Sequence, residues 1–318
     1  MTIRVAILDD YQNVAMTLAD WSPLAGRAEP VVFNDAFADA DVAAAALAEF
    51  PVIVAMRERT PFPADLLARL PNCRLLITTG MRNFAIDMSA AKQSGILVCG
   101  TELLPYPAAE LTWGLILALS LNIPHDARTM AEGGWQTRVG QSLYGRTLGI
   151  IGLGKQGKQV ARFANAFHME VLAWSRNLTA ADAAGQDAKR VELDELLAAA
   201  DIVTLHVVLN EGTRGLIGAR ELGLMKPEAF LVNTARGPVV DEAALLEALN
   251  GGRIAGAAID VYEQEPLPAD HPLRRAPNTV LTPHMGYVTR ENLTLMYSQA
   301  IEDIAGFLDG SPVRVLNG

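Results

Sequence analysis

Cysteine is almost absent from this chain, and aromatic residues are scarce. The 318 residues include two cysteines, Cys73 and Cys99, and aromatic residues make up 6%. Each cysteine lies in an apolar, strand-like segment, so the pair offers neither a disulfide framework nor a zinc-ligand spacing. We expect two buried free thiols in a reducing, cytoplasmic protein and assign them no chemistry.

Long hydrophobic runs are also missing. The longest apolar stretch, around Leu111 to Leu121, contains Thr112, Trp113 and Ser120 and is too short to cross a bilayer. The N-terminus enters an apolar strand at once and lacks the layout of a signal peptide. We therefore expect neither a membrane span nor a secretion signal.

Positive charge is in deficit. Lysine and arginine number 26 against 36 aspartates and glutamates, the formal net charge is −10, and no basic run compensates. Such a surface repels a phosphate backbone, so nucleic acid is not an expected partner. Metal is not expected either, because the histidines outside the motifs below lack ligand-like spacing, namely His125, His168, His206 and His271.

What the chain does contain is a repeated alternation of apolar strands and Ala/Leu-rich helices. Hydrophobic residues make up 50% of a length that favours two domains. Short apolar runs from RVAILDD to ILVCG predict a first parallel sheet, and runs from TLGIIGLG to TVLTP predict a second. A final helix over 290–308 follows the second sheet, and we expect it to fold back on the first domain.

A glycine-rich turn marks the start of the second unit. Gly152, Gly154 and Gly157 form G-x-G-x-x-G with Lys155 and Gln156 between them, after a predicted strand and before a predicted helix. In that position glycines let the backbone approach a pyrophosphate, which binds the amides of the helix N-terminus. We infer a dinucleotide site; the alternative is a purely structural turn.

The end of the next strand bears on the choice of dinucleotide. NAD enzymes place an acid there for the ribose hydroxyls, whereas this chain has Ser175, Arg176 and Asn177. A guanidinium with two hydrogen-bonding neighbours favours a 2′-phosphate, so we predict NADP rather than NAD. The alternative is that Arg176 is a solvated surface charge and NAD is accepted.

Three further motifs follow later strands of the same sheet: Asn233–Gly237 (NTARG), Ala258–Pro266 (AIDVYEQEP) and Thr282–Gly286 (TPHMG). The carboxyl ends of parallel strands meet at one edge of a sheet, so these motifs are expected to converge. Reduction of a 2-keto acid needs a cation, a general acid and a carboxylate that orients the acid. Arg236, His284 and Glu265 supply these groups, and the glutamate favours the protonated form of the histidine.

These four motifs, in this order, resemble the D-isomer-specific 2-hydroxyacid dehydrogenase family over nearly the whole length. The resemblance implies that Arg236 binds substrate, that His284 is the acid/base and that Glu265 is its partner. It also implies that Asp260 lies by the nicotinamide carboxamide. The expected cofactor residues are Gly152, Gly154, Lys155, Gln156, Gly157, Ser175, Arg176, Asn177, His206, Thr213, Thr234, Ala235 and Asp260.

The family also implies an architecture. It predicts two doubly wound parallel-sheet domains, a Rossmann cofactor domain (102–284) inserted into a flavodoxin-like substrate domain (1–101 plus 285–318). The segment 78–83 (TTGMRN) resembles the family's glycine turn, whose amides grip the substrate carboxylate. The apolar helix near Leu111 and the stretch with Trp135 resemble dimer-forming elements, so a homodimer is expected; the alternative is that both are ordinary core.

The predicted substrate contacts are Arg57, Gly80, Met81, Arg82 and Tyr287. Arg57 is open to another interpretation, a surface cation paired with Glu58 or Glu49. Departures from the family pattern are Val208 where a proline is usual, Tyr287 where small residues are usual, and an uncommon segment 101–105 (TELLP). Tyr287 is expected to narrow the substrate pocket.

Several functions share this pattern. We rank reduction of glyoxylate or hydroxypyruvate first and oxidation of D-3-phosphoglycerate second, because the chain ends at Gly318 with no regulatory domain expected beyond it. Glu265 argues against a formate dehydrogenase, which has glutamine beside its histidine. A dinucleotide-sensing corepressor is the remaining alternative, but we expect no partner-docking extension at either end.

Overall fold

The computed structural model describes residues 2–318. It divides the chain into two compact units, one formed by residues up to Leu104 together with Tyr287–Gly318 and the other by Pro105–Gly286. Within residues 2–318, no helix combines the length and apolar character needed to span a bilayer.

The first unit is built on a five-stranded parallel sheet in the order β2-β1-β3-β4-β5. The strands are β1 Ile3–Ile7, β2 Ala28–Val32, β3 Val52–Ala55, β4 Leu75–Thr78 and β5 Leu97–Gly100. Both central strands, β3 and β4, are buried at every position because helices cover both faces of the sheet. This explains why they read as continuous apolar runs in the sequence.

Helices cover the two faces of this sheet with separate apolar clusters. They are α1 Ala15–Leu18, α2 Ala40–Leu47, α3 Ala64–Leu67, α4 Met88–Gln93 and the final helix α12 Arg290–Leu308, with a 3₁₀ turn at Ser22–Leu24. Thr289 caps α12 by accepting from the amide of Asn292 at 3.3 Å. Met296, Tyr297 and Ile304 of α12 are fully buried against β1, β3 and β4.

The second unit is built on a seven-stranded parallel sheet in the order β12-β11-β10-β9-β6-β7-β8. The strands are β6 Thr147–Ile151, β7 Glu170–Trp174, β8 Lys189–Arg190, β9 Ile202–Leu205, β10 Phe230–Asn233, β11 Gly256–Ile259 and β12 Thr279–Leu281. The strand order reverses between β6 and β9, which is the topological switch point where doubly wound sheets bind ligands.

Two apolar clusters again separate the faces of this sheet. The helices are α5 Pro107–Ser120, α6 Ile123–Ala131, α7 Lys155–Ala166, α8 Ala180–Ala184, α9 Leu193–Ala199, α10 Ala219–Leu224 and α11 Glu242–Asn250, with 3₁₀ turns at Gly237–Val239 and Pro272–Arg275. Helix α6 was not predicted. Asn122 has φ +55°, which ends α5 and starts a second short helix.

The two sheets confirm the predicted fold class. The order 2-1-3-4-5 is the flavodoxin-like arrangement, and the seven-stranded order is the Rossmann arrangement with one added strand. Both cysteines are buried, and burial raises the pKa of each thiol to about 12, so both thiols are protonated at neutral pH.

Candidate active site

The glycine turn after β6 needs glycine at its first and third positions for the protein's own packing. Gly152 has φ +105°, and a Cβ there would lie 2.6 Å from the carbonyl carbon of His206. A Cβ on Gly157 would overlap the carbonyl oxygen of Gly152. These two glycines therefore bring α7 against the end of β6 and β6 against the loop after β9.

Gly154 has a different environment. A Cβ built on it would meet no heavy atom of residues 2–318 within 4 Å, its immediate chain neighbours aside. Gly154 is the N-cap of the 12-residue helix α7, whose first turn carries no acid and, within the described chain, receives no side-chain cap. Open space before uncapped helical amides suits an anion, so a pyrophosphate fits here. Lys155 is exposed and Gln156 half-buried beside it.

Three polar residues follow β7 in the position expected for ribose contacts. The Ser175 hydroxyl accepts a hydrogen bond from the amide of Leu153 at 2.9 Å, which joins this strand end to the glycine turn. Arg176 and Asn177 are exposed, and Nη2 of Arg176 lies 3.4 Å from the carbonyl oxygen of Gly212. A single long hydrogen bond leaves most guanidinium donors available to a phosphate.

The loop after β9 contains two of the predicted cofactor residues. Nε2 of His206 lies 3.1 Å from the Thr204 hydroxyl, while Nδ1 is buried without a hydrogen-bond partner in the described chain. Burial lowers the pKa of His206 to about 4, so its ring is neutral at physiological pH. The Thr213 hydroxyl donates to the Val208 carbonyl at 2.7 Å and accepts from the Asn210 amide at 2.9 Å, so it closes the loop on itself.

The segment after β10 is held by its own side chains. Asn233 accepts from the amide of Ala235 at 3.1 Å and donates to the carbonyl of Arg236 at 3.0 Å. The half-buried guanidinium of Arg236 donates to the carbonyl of Ala235 at 2.8 Å. These bonds fix the course of the backbone through the predicted substrate-binding arginine.

Thr234 is held by a residue that the sequence did not single out. The Thr112 hydroxyl donates to the Ala108 carbonyl at 2.7 Å, which uses its single proton. In the 2.8 Å contact between the two hydroxyls, Thr234 must therefore be the donor. Both residues are buried, so α5 orients the Thr234 side chain.

Gly237 joins this segment to the one that carries Glu265. A Cβ on Gly237 would overlap the backbone of Tyr262, so only glycine permits the observed approach. Tyr262 in turn donates its amide to Oε1 of Glu265 at 2.9 Å. The order Arg236–Gly237 therefore places the arginine's backbone directly beside the loop that presents the glutamate.

Glu265 and His284 form a close pair. Oε2 of Glu265 lies 2.5 Å from Nδ1 of His284. Burial by itself would raise the pKa of Glu265, but the hydrogen bond and charge of His284, the Tyr262 amide and the charge of Arg236 hold it below its ordinary value. The glutamate is thus ionised at neutral pH and places a negative charge beside the imidazole of His284.

Asp260 fixes the loop on which His284 lies. Its buried carboxylate accepts from the Thr282 hydroxyl at 2.6 Å and from the amides of Met285 and Gly286 at 2.9 and 3.1 Å, and its carbonyl accepts from the amide of His284 at 2.8 Å. Burial raises the pKa of Asp260 against the lowering effect of these donors. His284 has φ +51°, an unusual conformation for a non-glycine residue, and these bonds on both sides of it hold the backbone there.

The first unit contains the remaining predicted residues. The guanidinium of Arg57 lies over Gly80, where a Cβ would overlap it, and donates to the carbonyl of Thr79 at 2.9 Å. Asn83 donates to the carbonyl of Arg57 at 2.6 Å and accepts from the amide of Ala85 at 2.8 Å. Asn83 and the interactions of Arg57 thus fix the turn that contains Gly80.

Met81 and Arg82 are exposed at this turn. The alternative for Arg57 was a surface cation paired with Glu58 or Glu49. Its Nη2 lies 3.8 Å from Glu58, whereas Glu49 pairs with Arg4. The Arg57 side chain is only 14% exposed, so it is not a surface cation. The Tyr287 ring lies 5.3 Å from the Arg59 guanidinium within the first unit, and burial raises the pKa of its hydroxyl.

Within residues 2–318, no group of three or more histidine, cysteine, aspartate or glutamate side chains is arranged to hold a metal ion. At the carboxyl edge of its sheet, the second unit presents a cation, an imidazole paired with a carboxylate, and the N-terminus of α7. The residues missed from sequence are Asn233, Thr112, Thr282 and Gly237. Asn233, Gly237 and Thr282 lay in quoted motifs, whereas Thr112 did not. Asn233 bonds to near neighbours in its own motif, and the partners of the other three are distant in sequence.

Comparison with known proteins places this site in a family. The model of the D-isomer specific 2-hydroxyacid dehydrogenase NAD-binding domain matches residues 113–286. A glyoxylate reductase of Aeropyrum pernix is 38% identical over 80% of this chain and 79% of its own length. A D-3-phosphoglycerate dehydrogenase of Archaeoglobus fulgidus is 38% identical over 82% of this chain, but the chain covers only 50% of that protein.

A solved structure agrees with this assignment. The phosphoglycerate oxidoreductase of Vibrio cholerae superposes with a TM-score of 0.92 at 36% identity, covering 97% of this chain and 99% of that one. With the family model covering more than half of the chain, the resemblance seen in the sequence is confirmed. This chain belongs to the D-isomer specific 2-hydroxyacid dehydrogenase family, whose members are NAD(P)-dependent oxidoreductases acting on CH–OH groups.

Proposed function

We propose that this chain is an NADPH-preferring reductase of small 2-keto acids, with glyoxylate and hydroxypyruvate as substrates. The observation that carries the proposal is the assembly of Arg236, Glu265 and His284 at the carboxyl edge of one sheet, with the glutamate 2.5 Å from the histidine. This edge also holds the glycine turn, so a cation and an oriented acid share an edge with the dinucleotide site.

The reaction consumes a 2-keto acid, a hydride and a proton and yields the D-2-hydroxy acid. Gly154 and the N-terminal amides of α7 would hold a dinucleotide, whose reduced nicotinamide would supply the hydride. His284 delivers the proton to the carbonyl oxygen as negative charge develops there, and because Nδ1 is bonded to Glu265, Nε2 is the nitrogen that carries it. Arg236 orients the substrate carboxylate and stabilises the developing charge.

Asp260 acts as a positioning residue in this proposal. It was expected beside the nicotinamide carboxamide, and its carboxylate already accepts three hydrogen bonds from the loop of His284. Its contribution is then to hold the imidazole's backbone. A contact of Asp260 with the carboxamide stays a prediction.

The preference for NADPH depends on the end of β7. No carboxylate stands among Ser175, Arg176 and Asn177, and the Ser175 hydroxyl is engaged with the Leu153 amide. Arg176 is exposed and makes one long hydrogen bond. A 2′-phosphate would therefore meet a guanidinium with available donors and no opposing acid nearby in the sequence.

The substrate contacts of the first unit remain part of the proposal. The amides around Gly80, Met81 and Arg82 are assigned to the substrate carboxylate, since Gly80 has φ +126° and lies at the carboxyl end of β4. Arg57 and Tyr287 are assigned to the substrate tail. Oxidation of D-3-phosphoglycerate is the second candidate, favoured by the charge of Arg57 and by the phosphoglycerate relatives.

Homodimerisation and a reducing, cytoplasmic location complete the proposal. Four apolar side chains of residues 123–139 are exposed by half or more: Ile123, Met130, Trp135 and Val139. Side chains of this size within one short segment favour burial against a second copy. Two buried, protonated cysteine thiols suit a reducing compartment.

The catalytic assignment predicts the outcome of a spectrophotometric assay. The decrease in reduced-nicotinamide absorbance should be fast with glyoxylate or hydroxypyruvate and NADPH. His284→Ala should lower turnover by roughly 10²–10⁴, the effect of losing a general acid. NADPH affinity, measured by fluorescence titration, should change little, because His284 supplies the proton and not the dinucleotide's binding energy.

Glu265→Gln provides the matched variant. It keeps a hydrogen-bond acceptor beside Nδ1 of His284 but loses the carboxylate charge, so kcat/KM for reduction should fall. An unchanged kcat/KM in Glu265→Gln would separate Glu265 from proton transfer, and undiminished turnover of His284→Ala would remove that histidine from the mechanism. Turnover with D-3-phosphoglycerate but with neither keto acid would favour the second candidate.

Replacing glycine by alanine should have different effects at two positions of the glycine turn, on NADPH binding at one and on stability at the other. Gly154→Ala should fold normally but weaken NADPH binding at least about tenfold, the effect of about 1.4 kcal/mol, because its methyl group enters the space assigned to the pyrophosphate. Gly157→Ala should lower the melting temperature, since its Cβ overlaps the Gly152 carbonyl. Thermal unfolding and calorimetric titration measure both; full NADPH affinity in Gly154→Ala would contradict the placement.

The dinucleotide preference rests on Arg176. Arg176→Ala should raise KM for NADPH by about tenfold or more, the effect of a lost charge-assisted hydrogen bond, and leave KM for NADH almost unchanged. Arg162 is exposed on α7 and lies outside the segment 175–177, so Arg162→Ala is the matched control. Equal effects of Arg176→Ala on both cofactors would contradict the assignment.

Sedimentation velocity tests the dimer. The unsubstituted protein should sediment as a dimer, and Trp135→Ser with Val139→Asp should shift it toward monomer because exposed apolar area is lost and charge is added. Phe84→Ser, which removes a 76% exposed aromatic ring from the first unit, is the control. A monomer without any substitution would disprove the proposal.

A further inference from the structure

Two segments of the second unit carry predicted catalytic groups, and a pair of side chains joins these segments beyond the candidate site. Nε2 of His271 lies 2.9 Å from Oε1 of Glu242. Glu242 stands six positions after Arg236, and His271 stands six positions after Glu265. The pair therefore links the continuation of the arginine's segment to the continuation of the glutamate's segment.

The two ring nitrogens of His271 have separate partners. His271 is the N-cap of the 3₁₀ turn Pro272–Arg275, and its Nδ1 accepts a hydrogen bond from the Leu273 amide at 3.3 Å. An imidazole nitrogen that accepts a hydrogen bond carries no proton, so the proton is on Nε2. Nε2 then donates to the carboxylate of Glu242. One nitrogen closes the histidine's own turn, and the other reaches helix α11.

Both partners lie on elements that are anchored in the same core. Glu242 is the first residue of α11, and its side chain is 22% exposed, against 18% for His271. Leu245 of α11 and Leu273 of the 3₁₀ turn are buried in one apolar cluster. A hydrogen bond to a carboxylate is stronger when solvent is largely kept from it. The pair thus connects two fixed elements and does not lie at a mobile surface.

The segment between Glu265 and His271 is closed on itself. The Arg274 guanidinium donates to the carbonyls of Leu267 and Pro268 at 2.7 and 2.8 Å. The His271 amide donates to the Pro268 carbonyl at 3.1 Å. Because these bonds make the segment compact, a displacement of His271 also displaces the chain next to Glu265.

A backbone contact joins the same two segments on the side of the candidate site. A Cβ on Gly237 would overlap the backbone of Tyr262, and the Tyr262 amide donates to Oε1 of Glu265 at 2.9 Å. A single contact leaves two segments able to tilt about it. The hydrogen bond between Glu242 and His271 adds a second connection, which restricts that tilt.

We propose that Glu242 and His271 are positioning residues, whose hydrogen bond sets the segment of Arg236 relative to the segment of Glu265. The inference rests on the proposed function, in which Arg236 binds the substrate carboxylate and Glu265 orients the acid. A displacement of reacting groups by about 1 Å lowers a rate by up to about 100-fold. A link between the two segments therefore acts on catalysis without touching substrate or cofactor.

Isosteric substitutions separate the two hydrogen bonds of His271. Glutamine places its amide nitrogen near the position of Nε2, whereas asparagine places its oxygen near the position of Nδ1. His271→Gln should therefore keep the bond to Glu242 and retain kcat/KM for glyoxylate. His271→Asn should keep the cap of the 3₁₀ turn but lower kcat/KM about tenfold or more, with a higher KM for glyoxylate and unchanged NADPH affinity.

Glu242→Ala should reproduce the effect of His271→Asn, and the double variant should be no worse than either, because both remove one interaction. Glu247→Ala is the matched control, since it removes the same charge from an exposed position of α11. Its kcat/KM should not change.

Hydrogen–deuterium exchange gives a readout that needs no turnover. Amides of residues 236–241 and 262–267 should exchange severalfold faster in Glu242→Ala and His271→Asn, but not in His271→Gln or Glu247→Ala. If the unsubstituted protein reduced neither keto acid, this exchange pattern would still support the link while the proposed function failed. Unchanged exchange in both pair-breaking variants would overturn the inference, as would a His271→Gln protein as impaired as His271→Asn.

Discussion

The parallel pairing of β6 with β9 and of β9 through β12 is the constraint on which the candidate active site depends. Because the strands run in one direction, the residues that follow them share one edge of the sheet. That edge contains the glycine turn together with Arg236, Glu265 and His284. An antiparallel strand in this sheet would send the residues that follow it to the opposite edge. The proximity of these candidate residues thus depends first on the direction of the strands.

Close backbone contacts convert this shared edge into a specific geometry. Gly152, Gly157 and Gly237 each lie where a Cβ would collide with another segment, so the loops approach to backbone contact. Asp260 then adds a buried carboxylate that accepts three hydrogen bonds from the loop of His284. Groups that are held in place in this way need less reorganisation when charge develops in a reaction.

The strands, helices and motif order were predictable because each depends on local pattern. Buried parallel strands such as β3, β4 and β9 read as uninterrupted apolar runs, and G-x-G-x-x-G lies between a strand and a helix as its chemistry requires. Helix α6 was missed because its boundary is the left-handed Asn122, a conformation without a strong sequence signal. The supports of the site, Thr112 on Thr234 and Thr282 on Asp260, were missed because each pair is distant in sequence.

The sequence by itself determined the fold class and the family, because hydrophobic periodicity and glycine-rich turns are local properties. It also put Arg236, Glu265 and His284 forward as candidate catalytic residues. Only the tertiary structure decided that Asp260 accepts hydrogen bonds from the loop of His284 and that Arg57 lies over Gly80. It also decided that arginines from three separate segments line one cavity. Those arrangements depend on distances between residues far apart in the chain. A single sequence carries no direct measure of such distances, since they arise only when the sheet and its covering helices pack.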